Sequence, residues 1–332
     1  MAKIVLTGSL GNIGKPLAIA LIASGHSVTI ISNNANRHDI IEALGAKAAI
    51  GSIKDADFLT ATFVGADIVY LMEPPIAPDQ LSNPNFTFTD MLNNINDIVT
   101  KYKEAILQAG VKRVIHLSSI GAHTDSKNGL LKHHYYAEKI LNELPSDVSI
   151  KFMRPVGLFL NILPLAQVIK QLSKGVIGIF MALYYYGLGG LMGGKRGVIV
   201  SNLGGNDISL LVSPLDIAST IAEEIENPFS GRTFRYVASE EMTCNEVAKA
   251  LGDEIGKPYL KWGQISDKHL LNAMKRMKWS PSIAQAFVEM QAAGRGGENS
   301  YLYQDYYKHR PVLGKTKLKD YVKEFANEYH RQ

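Results

Sequence analysis

Three glycines spaced three residues apart stand near the start of the chain, within residues 7–14 (TGSLGNIG). A short apolar, β-branched run precedes them at residues 3–6, and apolar residues at helical spacing follow as far as Gly25. Glycines between a strand and a helix let backbone N–H groups approach an anion at the positive helix end. The pattern predicts a binding loop for a dinucleotide pyrophosphate, with a plain glycine-rich turn as the alternative. The residues expected to bind there are Thr7, Gly8, Leu10, Gly11, Asn12, Ile13 and Gly14.

The end of the second predicted strand bears on which dinucleotide is bound. At this point an acidic side chain accepts hydrogen bonds from the ribose 2′-hydroxyl of NAD(H), whereas the 2′-phosphate of NADP(H) needs donors and positive charge. Ser32, Asn33 and Asn34 stand here, Arg37 follows, and no carboxylate precedes Asp39. We therefore expect NADP(H) to be preferred to NAD(H). A solvated position on a helix is the alternative for Arg37.

Short apolar runs alternate with helical patterns through residues 1–158. The pattern predicts strands at 3–7, 27–32, 47–50, 67–72, 112–117 and 149–153, with helices near 12–24, 36–44, 55–63, 87–109 and 130–144. This alternation is typical of an α/β protein with a doubly wound parallel sheet, a Rossmann domain. Ligands bind at the carboxyl ends of such strands. These ends add the candidates Ser52, Ile53, Met72, Glu73, Pro74, Ser118, Ser119, Pro155, Val156, Gly157 and Phe159.

The regular alternation is lost after residue 158. Helices are expected near 161–173, 214–226, 267–277, 281–293 and 316–329, with strands at 197–200 and 233–237. Thr243 and Glu246 form a capping box, which predicts a helix from there to about Ile255. We expect residues 159–204 and 240–332 to form a smaller, mostly helical domain, and residues around 205–239 to return to the main sheet.

Composition excludes several classes of function. The formal net charge of the 332 residues is only +4 and no long basic run occurs, so nucleic acid is not an expected partner. The one cysteine, Cys244, excludes an internal disulfide, suits a cytoplasmic location, and is expected to be a buried apolar residue. No signal peptide is evident at the start. No histidine or acidic spacing indicates a metal site.

Residues 176–194 form an uncharged stretch between Lys174 and Lys195. Its length fits a membrane span. Its many glycines weaken a helix, and it stands inside an α/β pattern. We therefore expect an aromatic lid over a pocket, or a contact between two copies of the chain, instead of a span.

Several stretches together resemble the NmrA-like group of atypical short-chain dehydrogenases/reductases. They are the glycine turn, residues 65–72 (GADIVYLM), 111–119 (VKRVIHLSS), 134–141, the pair Arg154 and Pro155 with Phe159 and Asn161, and residues 212–218 (VSPLDIA). The resemblance implies a Rossmann domain and a small C-terminal domain with an NAD(P)-binding cleft between them. Members of the group include NADPH-dependent quinone reductases and non-enzymatic redox-sensing regulators.

Active members of the wider superfamily use Tyr-x-x-x-Lys on one helix, where the tyrosine passes a proton and the lysine lowers its pKa. Tyr135 and Lys139 fit that string, but the apolar stripe of the helix turns both away from the core. The register of residues 138–141 against the family pattern instead aligns His134 with the lysine and Leu130 with the tyrosine. We therefore expect the proton-relay tyrosine to be absent.

His134, Ser118 and Ser119 are then the catalytic candidates. His134 is expected to be the polar group nearest the nicotinamide ribose, and the two serines at the strand end are expected to hydrogen-bond a carbonyl or the ribose. A packed core histidine and ordinary turn serines are the alternatives. The function expected first is NADPH-dependent reduction of a small apolar acceptor such as a quinone, which needs mainly stacking and proximity. A non-catalytic NADP(H) sensor that binds a regulatory protein partner is second. A sugar-nucleotide epimerase is third, because that chemistry depends on the tyrosine. Aromatic candidates for the acceptor pocket are Phe159, Phe180, Tyr184, Tyr185 and Tyr186.

Overall fold

The strands of the protein are short and mostly apolar. They are described, with the rest of the chain, in a computed structural model that covers residues 1–172, 175–176, 178–180, 183 and 198–331. In chain order they are β1 (Lys3–Leu6), β2 (Ser27–Ser32), β3 (Lys47–Ile50), β4 (Ile68–Leu71), β5 (Arg113–Leu117), β6 (Ser149–Pro155), β7 (Gly157–Leu158), β8 (Val198–Ser201), β9 (Ile208–Val212), β10 (Arg232–Val237), β11 (Glu240–Thr243) and β12 (Lys261–Gln264).

The helices alternate with the strands in the first half of the chain and dominate the second half. They are α1 (Gly14–Ala23), α2 (His38–Ala43), α3 (Ala56–Phe63), α4 (Pro78–Ser82), α5 (Phe88–Ala109), α6 (Lys132–Leu141), α7 (Pro164–Leu172), α8 (Pro214–Glu226), α9 (Cys244–Glu254), α10 (Asp267–Arg276), α11 (Pro281–Ala293), α12 (Gln304–Lys308) and α13 (Leu318–His330). Short 3₁₀ turns occur at Ala35–Arg37, Gly129–Leu131, Phe159–Ile162 and Gly297–Asn299.

Seven strands form the main sheet in the order β10-β6-β5-β4-β1-β2-β3, and every neighbouring pair is parallel. The chain therefore winds outward from β1 to β3, returns to β4, and winds outward in the other direction. The point of reversal lies between β1 and β4, where ligands bind in sheets of this kind. The predicted α/β Rossmann-like fold is confirmed, and the six strands expected before residue 158 are present.

Alternate side chains of the sheet pack on two faces. Ile4 and Leu6 of β1 lie in a core with α1, α2 and α8, whereas Val5 lies in a second core with α3, α5 and α6. This pattern follows from the period of two along a strand. The sheet is thus covered by helices on both sides, as a parallel sheet requires.

Two small sheets, β11-β9-β7 and β12-β8, lie outside the main sheet. We had not expected β7, β9, β11 or β12, each of which is five residues or shorter. Of residues 205–239, the described structure places β10 at the edge of the main sheet and β9 in the three-stranded sheet. The boundaries of the two expected domains stay a prediction.

The capping box expected before residue 255 is present. The Glu246 N–H donates to Thr243 Oγ1 over 3.2 Å, and the Thr243 N–H donates to Glu246 Oε2 over 2.7 Å, which starts α9. Cys244, the next residue after this cap, is buried, and burial together with the charge of Asp207 raises the pKa of its thiol to about 12. Cys244 is therefore a packed apolar side chain, as expected.

The uncharged stretch 176–194 falls mostly outside the described residues, so the lid and the dimer contact stay predictions for it. Among the helices that the structure does describe, none has the length and apolar character needed to cross a bilayer.

Candidate functional site

The glycine loop joins β1 to α1 at the point where the sheet reverses direction. Gly8 has a φ of +86°, and a Cβ at this position would lie 2.1 Å from Sδ of Met72. A Cβ at Gly14 would lie 2.4 Å from the carbonyl oxygen of Ser9. The loop therefore closes only because neither residue has a side chain.

Gly11 differs from the other two glycines. It is exposed, and a Cβ there would meet only the Gly8 carbonyl oxygen, at an ordinary 3.6 Å. Asn12 is exposed as well, and no side chain in the described residues caps the N-terminus of α1. The fold thus leaves a bare backbone and the positive end of a helix facing outward, which is the geometry that a pyrophosphate requires.

Thr7 ties the loop to the next strand of the sheet. Its backbone N–H donates to the carbonyl oxygen of Tyr70 over 3.0 Å, and its Oγ1 accepts from the N–H of Met72 over 2.9 Å. The hydroxyl of Tyr102 donates to the Met72 carbonyl oxygen over 2.8 Å. These bonds hold the ends of β1 and β4 together, so the crevice at the reversal point has a fixed floor.

Arg37 turns back over the glycine loop. Asn34 starts the preceding 3₁₀ turn by accepting from the Asn36 N–H over 3.0 Å, and Arg37 Nη1 then donates to Ser9 Oγ over 2.9 Å. Arg37 makes no ion pair with any residue in the described part of the chain. The guanidinium of Arg37 is half-buried and lies beside the glycine loop without a carboxylate partner in the described residues. This position favours a phosphate-binding role for Arg37 over a solvated side chain on a helix.

The other candidates at the β2 and β3 ends line the same side. Ser32 is buried and its Oγ accepts from the Asn34 N–H over 3.2 Å, while Asn33 is exposed. Ser52 is exposed after β3, and Ile53 packs partly against the core.

Ser118, at the end of β5, uses its hydroxyl within the protein. Its Oγ donates to Glu138 Oε1 over 2.6 Å. Glu138 is itself held by Arg154, which donates from Nε over 2.9 Å and from Nη2 over 2.6 Å. Ser118 can therefore only accept a further hydrogen bond, whereas half-exposed Ser119 makes no side-chain hydrogen bond within the described residues.

The burial of residues along helix α6 follows the apolar stripe of its sequence. Ala137 and Leu141 are buried and Lys139 is exposed, while Tyr135 is half-buried with its ring against that of Tyr136. The geometry agrees with the expectation that Lys139 faces away from the cleft. It also buries Glu138, which the apolar pattern alone did not predict.

His134 lies at the start of α6. As a residue it is half-buried, but its Nδ1 is buried and has no partner among the described residues. Burial, followed by the charges of His133 and His116, lowers the pKa of His134 well below its ordinary value. The imidazole is therefore neutral near pH 7, with Nε2 as the nitrogen left for a ligand.

The remaining strand-end candidates lie at or just after the ends of β4 and β6. Glu73 is buried, with Oε1 2.8 Å from Nε2 of His116 on β5, a partner that we had not predicted. Pro74 beside it is exposed. The backbone of Pro155 accepts from the Ile120 N–H over 2.9 Å, and that of Val156 donates to Val237.

Phe159 corrects one expectation. Gly157 begins β7, and the chain then enters the smaller core, where Phe159 is fully buried with its ring centroid 5.6 Å from that of Tyr321. A ring without exposed surface cannot contact a ligand, so Phe159 is not a wall of the cleft. Phe180 is exposed, and Tyr184, Tyr185 and Tyr186 lie outside the described residues. Among the described residues no group of three metal-ligating side chains occurs.

Comparison with known proteins agrees with the geometry of the loop. Residues 8–162 match the sequence model of a family described as NAD(P)H-binding. A search of curated protein sequences finds no match.

Solved structures share the fold over almost the whole chain. An NADPH-dependent quinone oxidoreductase from Escherichia coli, in complex with NADPH, is 18% identical with a TM-score of 0.69 and covers 97% of this chain and 99% of its own. A Citrobacter triphenylmethane reductase complexed with NADP(H) is also 18% identical, with a TM-score of 0.67 and the same coverage. A nucleoside-diphosphate-sugar epimerase from Staphylococcus aureus is 16% identical, with a TM-score of 0.69, and covers 96% and 99%.

Residues 8–162 are thus similar to the NAD(P)H-binding family over slightly less than half of the chain, a span that runs from the glycine loop past the end of β6. The resemblance that the sequence indicated is confirmed at this level. At such low identity the structural neighbours establish the shared fold alone.

Proposed function

We propose that the protein is an NADPH-dependent reductase of a small apolar acceptor such as a quinone. The observation that carries the proposal is the Arg37 guanidinium over the glycine loop, 2.9 Å from Ser9 Oγ and free of any carboxylate in the described residues. This guanidinium would bind a 2′-phosphate, the group that distinguishes the cofactor of reductive enzymes. The quinone oxidoreductase and the triphenylmethane reductase, which share the fold, support the reductase class.

Different residues of the cleft would bind different parts of NADPH. The exposed backbone at Gly11 and Asn12 would hold the pyrophosphate, and Arg37 the 2′-phosphate. Pro155 and Val156 would border the nicotinamide, although the Pro155 carbonyl and the Val156 N–H are already hydrogen-bonded within the protein, and His134 would meet the ribose beside it. Bound NADPH supplies a hydride. Ser118 Oγ, whose proton is committed to Glu138, would accept a hydrogen bond there instead of donating one.

Replacing Arg37 with alanine should change the choice of cofactor. A charge-assisted hydrogen bond contributes about 1.5–3 kcal/mol, so we expect NADPH affinity to fall roughly 10- to 100-fold. The affinity for NADH, which lacks the 2′-phosphate, should change little. Fluorescence titration of each cofactor measures both. Lys47→Ala, which removes an exposed charge at the amino end of β3, away from the carboxyl ends of the strands, is the matched control. Equal losses for the two cofactors would contradict the role of Arg37.

The orientation of α6 predicts that substitutions at two neighbouring residues, Tyr135 and His134, have different effects. Tyr135→Phe should leave turnover within about twofold of wild type, because that hydroxyl is not expected to pass the proton. His134→Ala should weaken NADPH binding by about 1 kcal/mol, the contribution of one hydrogen bond. Steady-state NADPH oxidation with a soluble quinone and cofactor titration test the pair. A large loss of turnover in Tyr135→Phe would show that the tyrosine does face the reaction.

A non-catalytic NADP(H) sensor is the second candidate. Lys139 is exposed and the Ser118 hydroxyl donates to Glu138, so neither is free to assist catalysis. This observation argues against an epimerase and favours a sensor. Binding of NADPH without turnover over a panel of quinones and carbonyl compounds would select the sensor. NADPH consumption with any of them selects the reductase. The NmrA-like subgroup, the cytoplasmic location and a homodimer stay predictions in either case.

A further inference from the structure

One helical stretch of the chain turns apolar side chains outward. Its described part includes Val176, Ile179, Phe180 and Leu183, which are helical and 68%, 46%, 66% and 39% exposed. Spacings of three, four and seven residues place the four on one face of a helix, and we call them the exposed stripe. A helix of a globular protein normally packs such a face against the core, so the exposed stripe is available for a contact outside this chain.

The exposed stripe differs from other apolar residues on the surface. Ile19, Ile40 and Leu107, for example, are exposed on three separate helices, α1, α2 and α5. Single apolar side chains of this kind are ordinary on protein surfaces, whereas several together mark contact with another protein or with lipid. The exposed stripe therefore indicates an interaction surface.

The sequence around the exposed stripe lacks acidic residues. Residues 148–206 contain no aspartate or glutamate, although 31 of the 332 residues in the chain are acidic. Lys170 and Lys174 precede the exposed stripe, Lys195 and Arg196 follow it, and no charged residue stands between Lys174 and Lys195. An apolar stretch with basic residues on both sides is typical of a segment that lies between water and an anionic surface.

Folding adds a cation to this region and neutralises a neighbouring acid. β8 belongs to the acid-free span, and its first residue, Val198, pairs in register with exposed Lys261 of β12. A carboxylate beside α7, that of Glu328 on α13, accepts from Gln167 Nε2 over 3.1 Å and is paired with Arg331 at 3.2 Å. The chain near the exposed stripe therefore keeps its excess of positive charge.

Charge decides between the two kinds of contact that an apolar face can make. A symmetric contact between two copies of the chain would place the same cations on both sides of the interface, with no acid from residues 148–206 to pair with them. The phosphates of an anionic bilayer instead attract these cations, while its acyl chains receive the apolar side chains. Such an interfacial position is distinct from a membrane span, because the exposed stripe enters only one leaflet.

We propose that the exposed stripe docks the protein on the surface of an anionic lipid bilayer. The four side chains enter the boundary between headgroups and acyl chains, and the basic residues on either side bind lipid phosphates. The inference goes beyond the proposed reductase function and does not rest on it. Apolar quinones dissolve in bilayers, so docking would also bring such a reductase to its acceptor.

Vesicle binding tests the docking directly and needs neither cofactor nor substrate. The full chain is sedimented with vesicles of phosphatidylcholine and phosphatidylglycerol, or of phosphatidylcholine alone, and the bound fraction gives the affinity. We expect the affinity to be at least about tenfold higher for the anionic vesicles, because each cation near the surface contributes to binding. Raising the salt concentration should remove most of this difference, since salt screens surface charges.

Two glutamate substitutions form a matched pair. Ile179 in the exposed stripe and Leu107 on α5 are both helical aliphatic residues, and they are 46% and 47% exposed. Ile179→Glu should lower the affinity for anionic vesicles about tenfold or more, whereas Leu107→Glu should change it less than about twofold. Phe180→Ser removes apolar surface without adding charge and should lower the affinity about fivefold, which separates insertion from charge repulsion.

Light scattering of the same variants distinguishes lipid from a second copy of the chain. Wild-type protein that stays in the supernatant of anionic vesicles would overturn the proposal, as would equal losses of affinity in Ile179→Glu and Leu107→Glu. A wild-type dimer that Ile179→Glu converts to a monomer would instead assign the exposed stripe to a contact between copies. The reductase proposal is judged separately by NADPH consumption in solution, which none of these substitutions should alter.

Discussion

Gly11→Ala is expected to lower the affinity for NADPH about a hundredfold, close to 3 kcal/mol, while leaving the stability of the protein unchanged. A Cβ at Gly11 meets only the Gly8 carbonyl oxygen at 3.6 Å, so the fold has room for a methyl group. On the proposed binding mode, the methyl group would instead fill the space in which pyrophosphate oxygens would reach backbone N–H groups at the start of α1. Loss of more than one such charge-assisted hydrogen bond accounts for the size of the effect.

Gly25→Ala is the matched control, because Gly25 stands at the other end of the same helix. It has a φ of +83° with no atom within 4 Å of a Cβ, so alanine there is strained but obstructs nothing. We expect it to lose about 1 kcal/mol of stability and no affinity. Fluorescence titration with NADPH and thermal unfolding of both variants separate the two effects. Wild-type affinity in Gly11→Ala would show that the cofactor does not lie on this backbone.

Glu138→Ala is expected to lower the free energy of unfolding by about 3–5 kcal/mol, the cost of leaving one partner of a buried ion pair without the other. Glu138 and Arg154 have side chains that are 7% and 8% exposed, and they share two hydrogen bonds. With Glu138 removed, the Arg154 guanidinium retains one carboxylate partner among the described residues, Asp305 at 3.4 Å, in a buried position. Ser118 also loses the acceptor of its hydroxyl.

Urea unfolding measures this loss, and an exposed ion pair provides the comparison. Lys112 and Asp147 are paired at 2.6 Å, but their side chains are 60% and 62% exposed. Water screens such a pair, so Lys112→Ala should cost less than about 1 kcal/mol. Comparable losses in the two variants would show that burial does not decide the strength of the Glu138–Arg154 pair.

The parts of the fold that could be predicted from the sequence are those set by local pattern. The glycine loop, the six leading strands and the capping box of Thr243 and Glu246 each depend on residues within one turn or one strand. Arg37 illustrates the limit of such reasoning. Its type and place suggested a phosphate ligand, but only the structure shows it on Ser9, 28 residues away, instead of in solvent.

Residues whose role depends on distant partners were missed or misplaced. His116 is one residue of an apolar strand, and its significance comes from Glu73, 43 positions earlier. Phe159 follows a strand end that carries ligands in related folds, yet contact with Tyr321 draws its ring into the smaller core. The short strands β7 and β9 pair with each other across an intervening segment, and neither has enough residues for an alternating pattern to be visible.

Titration calorimetry of the full chain with NADPH, NADP⁺, NADH and NAD⁺ tests most directly whether this cleft is a nucleotide site. The glycine loop and Arg37 predict heat of binding with NADPH and an affinity at least tenfold higher than for NADH. Absence of heat and of any thermal shift with all four nucleotides would contradict the central claim, that this cleft binds a dinucleotide.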